Sequence, residues 1–159
     1  TEAEIQLAVA ELFDYNRNLI IPNVTTLRQS PKYEHLVYYY EADLIVISKA
    51  GYVKEIEIKT NKYDLIRDKN KFHNHDGYDI NEIYFAIPES LLDYIRYIPD
   101  EAGVIVCRER DGVIRSEFFR KAKKRGMKPL SDDRIIYYLR LAMIKYWNLT
   151  KKINKKKET

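Results

Sequence analysis

The sequence predicts an α/β chain that contains both helices and the strands of a sheet. Three observations carry this prediction: a stripe of apolar residues at helical spacing opens the chain, a strictly alternating segment follows a turn at Gly51, and two β-rich segments meet at Asp111-Gly112. With 159 residues, 45% hydrophobic and 33% charged, the chain suits one globular domain. We therefore expect a single domain over residues 1–150, followed by a basic, disordered tail over 151–159.

The first half of the chain predicts five elements from local patterns. The apolar stripe gives a helix, Pro22 closes a short strand, and the alternating segment pairs with a longer β-rich run in a hairpin. A segment of helical character follows the hairpin. In order, these elements lie at residues 2–14, 19–21, 36–47, 52–59 and 62–72.

The second half predicts a strand over residues 80–87, and then a helix in which Pro88 is the first residue. Residues 102–107 and 113–115 form the second hairpin through Asp111-Gly112. Two helices finish the chain, and Ser131-Asp132-Asp133 is a capping start for the last of them.

The net charge of +4 is unevenly distributed. Residues 1–115 carry 14 Lys and Arg against 20 Asp and Glu, a net charge of −6, whereas residues 116–159 carry 14 against 4, a net charge of +10. Such a division is typical of a metal site joined to a phosphate-binding surface, or of an acidic domain with a solubilising lysine tail.

Several classes of protein are excluded by what the chain does not contain. Cys107 is the one cysteine, so cysteine-rich zinc modules and intrachain disulfides are excluded. No run approaches the 18 or so apolar residues of a membrane span. Thr1 opens onto acidic residues rather than a basic and then apolar signal, so we expect a cytoplasmic protein without a membrane partner.

The informative stretch is the first hairpin. Residues two apart on a strand share a face, so Glu55, Glu57 and Lys59 project together, and the hairpin brings Asp43 alongside Glu57. Two carboxylates and the backbone carbonyl of Ile58 would suit Mg²⁺ or Mn²⁺, which prefer oxygen ligands. Lys59 could orient a water or stabilise negative charge at phosphorus. The alternative is an exposed strand face with Glu–Lys pairs across the strands.

These residues resemble the PD-(D/E)XK nuclease superfamily, and most closely its MmcB-like DNA-repair branch. The similarity runs from about Glu4 to Ile114. It includes Asp43, Glu57-Ile58-Lys59 and three further blocks, which are the segment from Thr60 to Leu65 leading to Asp68 and Lys71, the segment Tyr84 to Pro88, and the segment Asp100 to Val106. Ala42 stands where the superfamily pattern has proline, which contributes no ligand.

The resemblance implies a restriction-endonuclease-like core, an α+β arrangement with a central mixed sheet flanked by helices, here with extra C-terminal helices. It implies Mg²⁺- or Mn²⁺-dependent hydrolysis of nucleic-acid phosphodiesters, with Asp43 and Glu57 as metal ligands and Lys59 as the catalytic lysine. The family often adds a glutamate from the first helix. Glu4 is our choice and Glu11 the rival, because they lie on nearly the same helical face.

Basic side chains predict where nucleic acid binds. Lys71 is expected to face a substrate phosphate, although pairing with a helix aspartate explains it equally well. A second cluster suits phosphate contacts without sequence readout, and a solvated basic helix is its alternative. That cluster consists of Arg120, Lys121, Lys123, Lys124, Arg125 and Lys128.

The sequence thus predicts a metal-dependent nuclease that acts on nucleic acid, with DNA favoured and a role in DNA repair or processing. Two alternatives remain open at this point. One is a noncatalytic nucleic-acid-binding or repair-scaffold protein that keeps the fold, and the other is a junction resolvase, which requires a homodimer with two sites.

Overall fold

The computed structural model describes residues 1–29, 37–68 and 79–157. The chain divides into two units, Thr1–Pro129 and Leu130–Thr159. This division differs from the expected single domain over residues 1–150. Within the described residues, every helix is too short or too polar to serve as a membrane span.

The first unit is built on a six-stranded mixed sheet with strands in chain order. The strands are β1 (Leu19–Gln29), β2 (Val37–Ile47), β3 (Val53–Ile58), β4 (Ile80–Pro88), β5 (Gly103–Arg110) and β6 (Val113–Arg120). Pairs β3/β4 and β4/β5 are parallel, and the other three pairs are antiparallel. This mixed sheet with flanking helices confirms the predicted fold class, which is also that of a restriction-endonuclease-like core.

Both predicted hairpins form. β2 and β3 meet through a turn in which Gly51 has a φ of 85°, a conformation that glycine adopts without strain. β5 and β6 meet through Asp111 and Gly112, both with positive φ, as the tight hairpin turn requires.

Helix α1 (Glu2–Leu12) packs its apolar stripe on one face of the sheet, which we call the α1 face. Ser116 of β6 donates a hydrogen bond from Oγ to the carbonyl of Ala8 at 2.6 Å, which fixes the helix on the sheet. The buried cluster on this face comprises Ile5, Val9, Phe13, Leu44, Val46, Ile56, Ile58, Tyr84, Ala86, Ile105 and Cys107.

The other face of the sheet lies under helix α2 (Lys62–Asp68) and a 3-10 helix, Glu89–Tyr97, which follows Pro88. We call it the α2 face. Its buried cluster comprises Leu65, Phe85, Ile87, Leu91, Ile98, Ala102, Val104 and Val106. Because successive residues of β3 and β4 are buried, both central strands are covered on both faces, and a charged residue on either strand needs a reason.

Strand β1 is longer than the predicted residues 19–21. Pro22 does not end it, because β1 is at the edge of the sheet, where a residue without an N–H is tolerated. Asn23 then takes a φ of 50°, and the pairing resumes at Val24. The edge strand is therefore kinked at Pro22-Asn23.

The end of the chain differs from its prediction in two ways. Residues 121–131 have no helix, although two C-terminal helices are expected, and Gly126 in this segment has a φ of 71°. The one described helix of the second unit, α3 (Asp132–Lys157), starts with Ser131 Oγ accepting from the Arg134 N–H. It continues through Lys157, where the composition predicts a disordered tail.

Candidate metal and phosphodiester site

The structure brings together the carboxylates that the sequence singles out. Leu44 of β2 pairs with Ile56 of β3, so the next residues along, Asp43 and Glu57, stand side by side on the α2 face. The N–H of Ile58 donates to Asp43 Oδ2 at 2.6 Å, which fixes that carboxylate at the end of β3. Ile58, predicted to contribute its carbonyl, thus also contributes its amide.

This arrangement changes the pKa of Asp43. Burial, and then the neighbouring charge of Glu57, raise the pKa of Asp43 to about 6, although the Ile58 hydrogen bond and the Lys59 charge act the other way. Two carboxylates held close together with limited access to water repel each other, and a bound cation would remove that repulsion.

Lys59 lies between two acids. Its Nζ is 2.8 Å from Glu57 Oε2 and 3.1 Å from Asp68 Oδ1, and all three side chains are buried. Burial alone would lower the pKa of Lys59, but the charges of Glu57 and Asp68 and their hydrogen bonds outweigh it, so the pKa is raised. Lys59 therefore stays cationic, which favours a role in stabilising negative charge over one in taking a proton.

Two further buried residues support Glu57 and were not predicted as site residues. The Tyr40 hydroxyl is 2.8 Å from Glu55 Oε1 and also contacts Glu57 Oε1. Burial, and then the charges of the two glutamates, raise the pKa of Tyr40, so it remains a neutral donor. Glu55 was recognised as lying on the same face, but only the fold shows that Tyr40 joins it to Glu57.

Glu4, the acid expected from the first helix, caps the start of that helix. Glu4 accepts hydrogen bonds from the N–H₃⁺ and the hydroxyl of Thr1 at its own helix start, and the first of these lowers its pKa. Glu2 instead acts electrostatically on Asp43, raising its pKa. Glu11, the rival, is exposed near the other end of the helix. The pattern Thr1-x-x-Glu4 is the signal of a capping box, which predicts that Glu4 bonds at the start of the helix.

The kink in β1 at Pro22-Asn23 also helps to position Asp43. Gln6 Nε2 donates to Asn23 Oδ1 at 2.8 Å and to the carbonyl of Asp43 at 3.2 Å. Asn23 lies beside Asp43 in the β1/β2 pairing, and its positive φ is one that asparagine accepts more readily than most residues. Helix, edge strand and β2 are therefore tied together at Asp43.

The predicted basic cluster is at the other end of the sheet. The Arg125 N–H donates to the Asn81 carbonyl at 2.8 Å, and the Lys123 N–H donates to Glu101 at 2.8 Å, so this segment follows the beginnings of β4 and β5. Lys59 donates its N–H to Ala86, and five residues of β4 separate Asn81 from Ala86, about 17 Å. Lys71 falls outside the described residues.

Lys121, Lys124 and Lys128 belong to the same segment, whereas Arg120 ends β6 opposite Val104, in the row of Glu57 and three strands away from it. Arg120 donates to the carbonyls of Ala102 at 2.9 Å and Pro99 at 2.7 Å, which anchors the end of β6. Lys121 Nζ lies 3.1 Å above the centre of the Phe118 ring. Lys123 and Arg125 thus follow the starts of β4 and β5, whereas Asp43 and Glu57 lie at the end of β3.

The donor set at the end of β3 fits a small hard cation. Asp43 and Glu57 offer only oxygen, and Mg²⁺ usually takes one or two protein carboxylates and completes its shell with water and substrate phosphate. In the described ranges no group of three or more His, Cys, Asp or Glu side chains is arranged to hold a metal. The fit is therefore to a two-carboxylate site, not to a closed protein cage.

The fold and site together define a mixed-sheet α+β protein with an acidic pair and a lysine at the end of a central strand. No family model and no curated protein matches the chain. Among solved structures, it is similar to the SPO1766 protein of unknown function from Silicibacter pomeroyi, at 12% identity and a TM-score of 0.59, over 96% of this chain and 90% of that one. At this identity the likeness concerns the fold alone.

A second solved structure, that of SSO0001, matches at 18% identity with a TM-score of 0.26, over 89% of this chain and 56% of that one.

Proposed function

We propose that the chain is a metal-dependent nuclease that hydrolyses phosphodiester bonds of nucleic acid, with DNA as the favoured substrate and DNA repair or processing as the setting. The observation that supports this most is the gathering of Asp43, Glu57 and Lys59 on one face at the end of β3. Buried charges cost stability unless they are paired or hold a metal, and the pairing with Lys59 accounts for Glu57.

Each residue has a distinct task in this proposal. Asp43 and Glu57 would hold Mg²⁺ or Mn²⁺, which when bound supplies Lewis-acid stabilisation at a phosphoryl oxygen. Lys59, held cationic by Glu57 and Asp68, directs positive charge at the phosphate as negative charge develops there. Tyr40 and the Ile58 amide keep the two carboxylates in place.

The test is cleavage by the purified chain and by matched variants. Plasmid, single-stranded and branched DNA are incubated with the wild type, Asp43→Asn and Lys59→Met in Mg²⁺ or Mn²⁺. Glu41→Gln is the matched control, because Glu41 is an exposed carboxylate on the same strand that bonds to Thr25. We expect cleavage by the wild type and the control only. Equal cleavage by Asp43→Asn would identify a contaminant and end the proposal.

A further inference from the structure

The β5–β6 hairpin places arginines on the face of the sheet that carries the carboxylates. Val104 and Val106 of β5 pack in the cluster of the α2 face, so alternation puts Arg108 and Arg110 on that face too. Arg115 of β6 pairs with Arg108 and shares its side. The intervening Glu109 projects to the opposite face.

This hairpin also extends from the end of the sheet at which Asp43 and Glu57 lie. Strands β3, β4 and β5 are parallel, so the end of β5 lies on the same side as the end of β3. Ile58, Ala86 and Ile105 form one row across these strands. From standard strand spacings, the Cα of Lys59 is about 12 Å from Arg108 and about 17 Å from Arg110.

The charges on the hairpin are unequally neutralised. Arg108 binds Glu89 at 2.7 Å and also Glu117. Arg110 and Arg115 are exposed, and across the described ranges neither has a carboxylate within 4 Å of its guanidinium. Arg108 and Arg115 lie directly across the strand pair, and because Glu89 and Glu117 neutralise Arg108, the positive charge that remains on the hairpin is that of Arg110 and Arg115.

The arginines surround a concavity of about 140 Å³, lined by Arg108, Arg110, Arg115, Ser116 and Glu117. Three of these five lining residues are arginines, so the concavity suits an anion such as a phosphate group. Guanidinium groups match phosphate oxygens with two parallel hydrogen bonds.

We propose that Arg110 and Arg115, which line one concavity with Arg108, bind backbone phosphates of a nucleic-acid strand that enters the carboxylate site. The inference rests on the proposed function, since it names how that site engages its substrate. It assigns strand binding to this hairpin and not to the basic segment over residues 120–128, which follows the opposite end of β4 and β5.

The test measures binding without cleavage. The full chain is titrated in EDTA against a fluorescein-labelled 30-nucleotide DNA strand and its duplex, from 50 mM to 200 mM salt. The variants are Arg110→Gln/Arg115→Gln and the charge-preserving Arg110→Lys/Arg115→Lys. The matched control is Lys123→Gln/Lys124→Gln, which removes the same charge from the distant segment. Thermal unfolding establishes that each variant is folded.

Each arginine on a phosphate contributes about 0.9 to the slope of log affinity against log salt for duplex DNA, so the glutamine pair should lower that slope by about 1.8. Over this fourfold salt range, the wild type should then lose about 12-fold more duplex affinity than the variant does. The lysine pair and the distant control should keep the wild-type slope.

An unchanged slope in the glutamine pair overturns the inference, as does a loss of slope in the distant control alone or no binding by the wild type. These outcomes are separate from those of the cleavage test, because EDTA removes any need for catalysis. A chain that binds through the hairpin yet cleaves nothing would refute the nuclease and leave the phosphate surface standing.

Discussion

Replacing Asp43 by asparagine should stabilise the metal-free chain at neutral pH, although it should abolish cleavage. The folded chain raises the pKa of Asp43 from 3.8 to about 6. Between these values the folded state binds more protons than the unfolded state, so stability falls as the pH rises. A carboxylate that is stabilised by its surroundings would give the opposite trend.

The size of this change in stability follows from the raised pKa of Asp43. About two pKa units correspond to about 3 kcal/mol of lost stability once the pH is above 6. Asparagine avoids this cost, and the pKa of about 6 already includes the favourable hydrogen bond from the Ile58 amide to the charged carboxylate. We therefore expect Asp43→Asn to be up to about 3 kcal/mol more stable than the wild type at pH 7.

Urea unfolding in EDTA at pH 4, 5, 6, 7 and 8 measures this difference. The extra stability of Asp43→Asn over the wild type should disappear as the pH falls to 4. The exposed control Glu41→Gln should show no comparable increase in stability at any pH. Adding Mn²⁺ at pH 7 should raise the melting temperature of the wild type and not that of Asp43→Asn. A variant less stable than the wild type at pH 7, or a gap independent of pH, would refute the reasoning.

Three further substitutions test the packing around the site by urea or thermal unfolding. Lys59→Met leaves two buried carboxylates without their shared cation and should cost about 3–5 kcal/mol; a loss below 1 kcal/mol would contradict the buried ion pairs. Tyr40→Phe removes the hydroxyl that contacts both β3 glutamates and should cost about 1–3 kcal/mol, so an unchanged midpoint would speak against that contact. In Gly103→Ala the new Cβ would lie 2.2 Å from the Tyr84 ring, which should cost about 1–3 kcal/mol; an unshifted melting temperature would show that the ring yields freely.

The carboxylate hairpin could be predicted because its signals are local. The alternation around Glu57 and the turn at Gly51 lie within one short stretch, and together they fix which side chains share a face. The partners of that site could not be found in the same way. Tyr40 lies 17 residues from Glu57 and Asp68 lies nine from Lys59, so their contacts depend on register and on the placement of α2.

The basic segment shows the limit of composition. Lysine, arginine and alanine favour helices, and nothing local announces that the N–H groups of Lys123 and Arg125 bond to carbonyls elsewhere in the chain. Strand direction decides at which end of the sheet a segment lies, and charge counts carry no information on strand direction. The expectation that these cations adjoin the carboxylates therefore came from net charge, whereas the structure separates the two.

The kink at Pro22-Asn23 has a consequence for self-association. An exposed edge strand offers a regular row of donors and acceptors to any strand that meets it, which is a common route to aggregation. Pro22 has no N–H, and the left-handed backbone of Asn23 interrupts the extended geometry that such an encounter needs. The kink at Pro22-Asn23 thus also protects the β1 edge of the sheet from pairing with strands of other copies of the chain.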